Sequence, residues 1–310
     1  MNLRTHSASW AGLALACSLC PAVVRGQAWL PPKGGGAVSL TFGDYAFDGH
    51  FAADGRKDPF GGTRAESLWL EGIYALTDGL AISAGLPFVT TKLTGSFPEG
   101  VPLGPLDKDR KYHGDFQDFR FELAFSLREG DFGLTPFVGL GVPSHEYEYV
   151  GEAVPGKALR EVYLGLAAGR SLHPFLPRAY VHTRYAYAFV ETVEDGVSNL
   201  DRSNLDSELG FQVSSRLLTR LLARWQVTHG GLDLEDMRRR PDFFRTHDRA
   251  ARTNYFNLGL GASFALGASW EVYAIFIKTL SGENAHQSRS LSIGATWYFG
   301  GGFGGGPEGR

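Results

Sequence analysis

Asp118-Phe119-Arg120-Phe121-Glu122-Leu123-Ala124-Phe125-Ser126-Leu127 decides how this chain reads. Phe119, Phe121, Leu123, Phe125 and Leu127 take alternate positions, and Asp118, Arg120, Glu122, Ala124 and Ser126 fill the gaps. Wound into a helix, these phenylalanines would scatter around the circumference, whereas an extended strand sends successive side chains to opposite faces. The segment is therefore a strand with one greasy and one wet face.

The pattern recurs on both sides of it. Val38, Leu40 and Phe42 alternate with Ser39, Thr41 and Gly43; Leu68, Leu70, Tyr74 and Leu76 with Ser67, Glu71 and Ala75; and Leu80 to Phe88 continues the series. Later strands are expected at Phe132 to Val142, Glu161 to Ser171, Arg178 to Val190, Asn204 to Ser214, Leu221 to Thr228, Asn254 to Phe264, Trp270 to Leu280 and Arg289 to Phe299. In the eleventh, Ile275 and Ile277 oppose Val272, Ala274 and Phe276, so its faces stay unassigned. The connections alternate in length. Thr77 to Gly79, Arg128 to Asp131, Leu172 to Pro177, Leu217 to Arg220 and Ala265 to Ser269 are short; Ala46 to Thr63, Thr91 to Gly114, Pro143 to Arg160, Glu191 to Ser203 and His229 to Thr253 are long and polar, with Ser281 to Ser288 a short member of that set. Short turns at one end and long loops at the other imply an all-β, closed, antiparallel transmembrane barrel of about twelve strands in an up-and-down meander.

The alternative is a soluble sandwich or lipocalin-like barrel, whose strands also alternate. Three features favour a membrane. Aromatics gather toward strand ends (Tyr45, Phe88, Phe116, Tyr187, Phe189, Tyr255, Phe256, Trp270, Trp297, Phe299), as interfacial girdles require. The wet face carries too much charge for a dry core. A sandwich also has no reason for loop asymmetry. Ten residues are expected on the inner face: Asp118, Arg120, Glu122, Arg178, His182, Arg184, Asp206, Glu208, Arg224 and Glu271. They mix both signs, and the hairpin closing at Glu191 to Ser203 sets Arg184 within a residue or two of Glu208, so the charges would brace or constrict the lumen rather than select one ion.

Arg4 followed by the apolar stretch Trp10 to Val24 and small residues near Gly26 and Ala28 reads as a secretory signal, expected to span residues 1–26. The barrel then occupies 27–299, and 300–310 is a glycine-rich tail left in the periplasm. Cys17 and Cys20 both lie in the signal, so the remainder has no thiol for a disulfide, a thiol catalyst or a cysteine metal site. A formal net charge of -3 argues against nucleic acid as a partner. The expected location is the bacterial outer membrane, with its lipid and lipopolysaccharide as surroundings.

The last strand ends in Ser292-Ile293-Gly294-Ala295-Thr296-Trp297-Tyr298-Phe299. A polar residue, glycine and alternating aromatics resemble the terminal signal read by the barrel-assembly machinery; the resemblance implies an assembly role for Ser292, Gly294, Trp297 and Phe299, although such signals usually end the chain. Two further stretches resemble the MetA-pathway phenol-degradation family of outer-membrane proteins, which is related in style to the fatty-acid and aromatic-hydrocarbon channels. One is Tyr74-Ala75-Leu76-Thr77-Asp78-Gly79-Leu80 with Gly85-Leu86-Pro87; the other is Gly114-Asp115-Phe116-Gln117-Asp118 followed by Val138-Gly139-Leu140-Gly141-Val142-Pro143. That resemblance implies a channel for small, hydrophobic or amphipathic solutes, without enzymatic activity or cofactor.

Two rival functions remain open. A barrel without a pore would use its long outer loops for structure or surface display. A hydrolase would use His286-Gln287-Ser288, which resembles the histidine and serine of outer-membrane phospholipases; the asparagine expected about a dozen residues later is replaced by Gly300. The remaining histidines are scattered singly, without metal-binding spacing, and Asp54, Asp58, Asp107 and Asp109 are read as solvated loop residues rather than cation ligands. Arg238-Arg239-Arg240 is a charge run that would meet either water or lipopolysaccharide phosphates.

Overall fold

The computed structural model describes residues 28–58, 61–95, 103–193, 197, 199–238 and 247–300. The expected signal, most of the tail and Arg239-Arg240 lie outside the described residues. The strands are β1 (Gly36–Phe51), β2 (Lys57–Asp58), β3 (Thr63–Thr77), β4 (Leu80–Leu93), β5 (His113–Phe116), β6 (Asp118–Phe125), β7 (Phe132–Pro143), β8 (Glu161–Ser171), β9 (Ala179–Val190), β10 (Arg202–Gln212), β11 (Leu217–Thr228), β12 (Asn254–Ala265), β13 (Trp270–Glu283) and β14 (Ala285–Phe299). Each long strand pairs antiparallel with its neighbour in sequence, and β14 returns to β1 in a register running from Gly36↔Phe299 to Phe51↔Ala285. That closure makes a twelve-strand barrel. β2 only extends the edge of β1, while β5 and β6 are one strand interrupted at Gln117. Without the β14–β1 seam, two rows of amides and carbonyls would face lipid, each unpaired group costing several kcal/mol.

The two faces separate as alternation requires. Val38, Leu40, Phe42, Leu68, Leu70, Phe121, Leu123, Phe125, Val138, Leu164, Leu258, Leu260, Phe276 and Ile293 are exposed on the outside. Soluble monomers rarely expose an apolar patch of more than a few hundred Å². Here the apolar exterior runs around the whole wall, which is the surface of a membrane-spanning barrel. β13 is unambiguous once its pairing is known. Tyr273, Ile275 and Ile277 point inward, at 3%, 3% and 6% exposure, and Trp270, Val272 and Phe276 point out.

Several boundaries differ from the sequence reading. β11 starts at Leu217, because the turn closes earlier: Val213 N donates to Leu217 O at 2.9 Å, and Leu217–Arg220 pair with Phe264–Gly261. Four residues read as a turn are thus wall. The last hairpin narrows to Asn284, which takes the left-handed conformation at φ 48 between β13 and β14. Tyr45 and Tyr255 are not girdle residues: Tyr45 is fully buried inside the barrel, and the Tyr255 phenol donates inward to Gln226. Among the described residues of the long β11–β12 connection are two short helices, α1 (Leu234–Arg238) and α2 (His247–Ala250).

Close approach of strands depends on tyrosine–glycine pairs on the inner face. Tyr163, Tyr180 and Tyr273 lie across their register partners Gly139, Gly210 and Gly294, where an added Cβ would meet the phenol ring within 2.2–2.5 Å.

Candidate functional site

The barrel interior is the enclosed surface on which most of the expected inner-face residues gather, and it is layered. Its middle layer is ionic. Arg184 Nη2 on β9 donates to Glu122 Oε2 on β6 at 2.5 Å, reaching over β7 and β8, and its guanidinium lies over the Phe137 ring at 3.6 Å. Arg202 pairs with Glu161, and Arg120 approaches the same carboxylate at 3.8 Å. Arg220 lies between Glu208 at 3.7 Å and Glu271 at 3.2 Å, and the Tyr180 hydroxyl donates to Glu208. Arg224 meets Asp206 at 3.3 Å. All five arginines of this layer therefore have a carboxylate partner. Most of these pairs join strands that are not neighbours, so the side chains act as struts across the lumen.

Between the struts is a cavity of about 130 Å³ lined by Arg120, His182, Arg184, Asp206, Glu208 and Arg224, among others. That is below the roughly 300 Å³ at which small-molecule sites begin, and it suits a cluster of ordered waters.

Apolar layers lie above and below the ions. Toward the long loops, Tyr45, Phe47, Trp69 and Val89 form a buried cluster on the inner faces of β1, β3 and β4. His286 is stacked on Phe47 at 3.7 Å, and its Nδ1 is 2.9 Å from the Tyr45 hydroxyl. Toward the short turns, Ile73, Phe137, Leu222, Tyr273, Ile275 and Ile277 join Ala28 and Leu30 in one cluster.

Both mouths are covered by the chain itself. At the short-turn end, the segment before β1 enters the barrel: Trp29 Nε1 donates to Gly130 O at 2.8 Å, and Thr135 Oγ1 donates to Ala28 O at 3.0 Å. Gly133 and Gly169 form its groove, since a Cβ there would come within 2.5 Å of Ala28 O or 2.4 Å of the Trp29 ring. At the other end, the β7–β8 connection turns inward. Tyr147 donates to Asp118 at 2.5 Å and accepts from Ala158 N at 2.8 Å, Gln117 Nε2 donates to Pro155 O at 2.7 Å, and Asp107 accepts from Glu152 N and Ala153 N. Burial and the adjacent Asp118 carboxylate push the Tyr147 phenol well above its ordinary range, keeping it a donor. In the exposed loop before β5, the hydrogen bond from His113 holds Asp109 below the usual carboxylate range.

Of the expected inner residues, Asp118, Arg120, Glu122, His182, Arg184, Asp206, Glu208, Arg224 and Glu271 come together in or beside the ionic layer. Arg178 does not: it is exposed in the turn before β9. Arg184 is in register with Asp206, two positions from Glu208, yet its guanidinium turns to Glu122. Arg220, Glu161, Arg202 and Tyr180 were missed. Arg220 was legible, since Arg220, Leu222, Arg224 and Gln226 share one face; the misplaced turn hid it. His286 and Ser288 both face inward; Ser288 Oγ bonds Thr279 Oγ1 at 2.7 Å, and His286 Nδ1 lies 2.9 Å from the Tyr45 hydroxyl. At the chain's end, Trp297 is 43% exposed beside Trp270, Phe299 stacks near Tyr74, and Ser292 and Gly294 face inward.

No protein-family model matches the chain, and no curated protein matches it in sequence. Solved structures do. An outer-membrane channel from Pseudomonas putida F1 superposes with a TM-score of 0.65 over 89% of this chain and 100% of that one, at 17% identity. The fold is an outer-membrane β-barrel. The NanC porin superposes at 0.51 over 84% of this chain and 98% of that one, at 9% identity. A closed barrel with an apolar exterior belongs in the bacterial outer membrane, where its wall meets lipid and lipopolysaccharide.

Proposed function

We propose that the chain is a narrow, gated channel for small hydrophobic or amphipathic molecules, within the MetA-pathway phenol-degradation family of outer-membrane proteins. One observation carries the reading: the lumen places apolar clusters on either side of an ionic layer whose charges are already paired. A wide porin needs an open, wet passage, and the struts close it. A pore selecting one ion needs uncompensated charge, and the arginines have partners. An apolar solute is suited to the Tyr45–Phe47–Trp69 cluster, and it passes only when the covering segments at Ala28–Leu30 and Tyr147–Leu159 move. The P. putida protein, described as an outer-membrane channel, supports this reading through its fold.

The remaining assignments belong to the same proposal. Residues 1–26 are a cleaved signal, both termini lie in the periplasm, the inner-face residues line the path, and Ser292, Gly294, Trp297 and Phe299 present the closing strand to the barrel-assembly machinery. The hydrolase reading has less support, because Ser288 is bonded to Thr279 and His286 to Tyr45. The test is purified protein in planar bilayers and swelling liposomes, with Arg184→Ala and Glu208→Ala beside the native chain, and uptake of aromatic and fatty solutes by cells. Permeation that changes with those substitutions is expected. A tight barrel that also fails to admit apolar solutes in cells would leave the poreless, loop-displaying alternative standing.

A further inference from the structure

On the outer wall, near the long-loop end, four basic side chains lie in one hydrogen-bonded row across five consecutive strands. The register runs Lys278↔Arg289, Arg289↔Ala46, Ala46↔Arg64 and Arg64↔Lys92. All four bases occupy outward positions: Lys278, Arg289 and Arg64 are exposed, and Lys92 is half-buried against Tyr112. Two residues closer to the short turns the row reads Phe276, Leu291, Asp44, Glu66 and Thr90; two further it is Ala274, Ile293, Phe42, Leu68 and Phe88. Lys278 and Arg289 thus border the apolar wall directly, and Arg64 and Lys92 stand one polar row, Asp44, Glu66 and Thr90, above it, where acyl chains give way to headgroups.

We propose that this row binds a doubly phosphorylated glycolipid of the outer leaflet, of the lipid A type. Adjacent strands are about 4.8 Å apart, so Lys278 with Arg289 and Arg64 with Lys92 form two pairs of bases whose centres are about 14 Å apart along the sheet. Between them Ala46, covered by its neighbours at 6% exposure, adds no side-chain bulk, so a disaccharide spans the gap while its two ends reach the two pairs. The arginines are oriented from below and above by carboxylates, Arg64 by Asp44 at 3.4 Å and Arg289 by Asp48 at 2.8 Å. The lysines take no ion pair among the described residues, and Lys92 lies over the Tyr112 ring at 4.4 Å. Positive charge left on the lysines, with donors on the arginines, suits phosphate monoesters better than carboxylates or neutral sugars. Arg128, by contrast, lies in a turn at the opposite end, and it serves as the control. The inference rests on the membrane-spanning wall and holds whether or not the lumen conducts.

The experiment titrates the purified full-length barrel in non-ionic micelles with bis-phosphorylated lipid A, with the enzymatically dephosphorylated lipid, and with inorganic phosphate. Lipid A is expected to bind at least about ten-fold more tightly than its dephosphorylated form, and inorganic phosphate is expected not to compete at equal concentration. Lys278→Gln with Lys92→Gln should weaken lipid A binding about thirty-fold, taking each lysine at the strength of a surface charge on an anionic leaflet. Ala46→Trp, which puts bulk between the two pairs without changing charge, should also weaken it, and Arg128→Gln should not. Heat-modified gel mobility reports folding of every variant. Equal affinity of the native barrel for the two lipids overturns the proposal, as does native-like binding by the folded double variant. Competition by inorganic phosphate would reduce the row to a simple anion site.

Discussion

Breaking the Arg184–Glu122 strut tests how far the ionic layer is shielded from bulk water. Both side chains are nearly enclosed, at 10% and 6% exposure, and they join strands separated by two others. Removing one partner of a buried pair costs about 3–5 kcal/mol, because the survivor is left charged and desolvated. The small cavity beside Arg184 admits some water, which favours the lower figure, about 3 kcal/mol for Glu122→Leu and for Arg184→Met. Met keeps the packing against Phe137 that the Arg184 stem and guanidinium make. The double variant removes both charges of the pair and should fall within about 1 kcal/mol of native. The coupling is then about 5 kcal/mol, beyond the usual 0.5–3 for contacting residues because each single variant leaves one charge of the pair buried without the other. Equilibrium urea unfolding in micelles, followed by tryptophan fluorescence, measures all four corners of the cycle. Additive single losses under about 1 kcal/mol would refute the argument, since solvated charges behave that way.

Trp29→Ala should loosen the segment that covers the short-turn mouth and raise single-channel conductance, with Gly133→Leu acting in the same direction by expelling Ala28; unchanged conductance in both would place the barrier elsewhere. Gly294→Ala should destabilise by about 1–3 kcal/mol, because its Cβ meets the Tyr273 phenol, and Tyr273→Ser in the same chain should recover part of the loss in urea unfolding. Phe299→Ala should lower the folded barrel recovered in outer membranes, while deletion of residues 301–310 should leave it near native; the reverse order would remove the closing strand from the assembly role. A cysteine at Asp54 should react with an impermeant thiol reagent on intact cells, and one at Gly130 should not; labelling at Gly130 would invert the proposed orientation.

Alternation alone was enough for the wall. Phe119 to Leu127, and the same rhythm in its neighbours, require extended strands with one apolar face, and the contrast between Thr77–Gly79 and His229–Thr253 separates the two ends of the barrel. Even the buried arginines were partly legible, since charge repeated on one face of β6, β9 and β10 has to meet partners or water. What sequence could not supply was anything decided across non-adjacent strands. Period two says that Arg184 points inward, but curvature of the closed sheet selects Glu122, across two intervening strands, over the nearer Glu208. The faces of β13 were ambiguous because apolar residues stand on both, and only pairing with β12 and β14 shows Ile275 and Ile277 inside. Tyr45 looked like a girdle residue because aromatic rings suit an interface as well as a lumen; its register opposite Ser290 turns it inward, where its hydroxyl reaches His286. Trp29 and Tyr147 belong to irregular segments with no periodicity to read. Their positions over the two mouths come from the groove at Gly133 and Gly169 and from the Asp118 carboxylate, contacts that exist only once the barrel has closed.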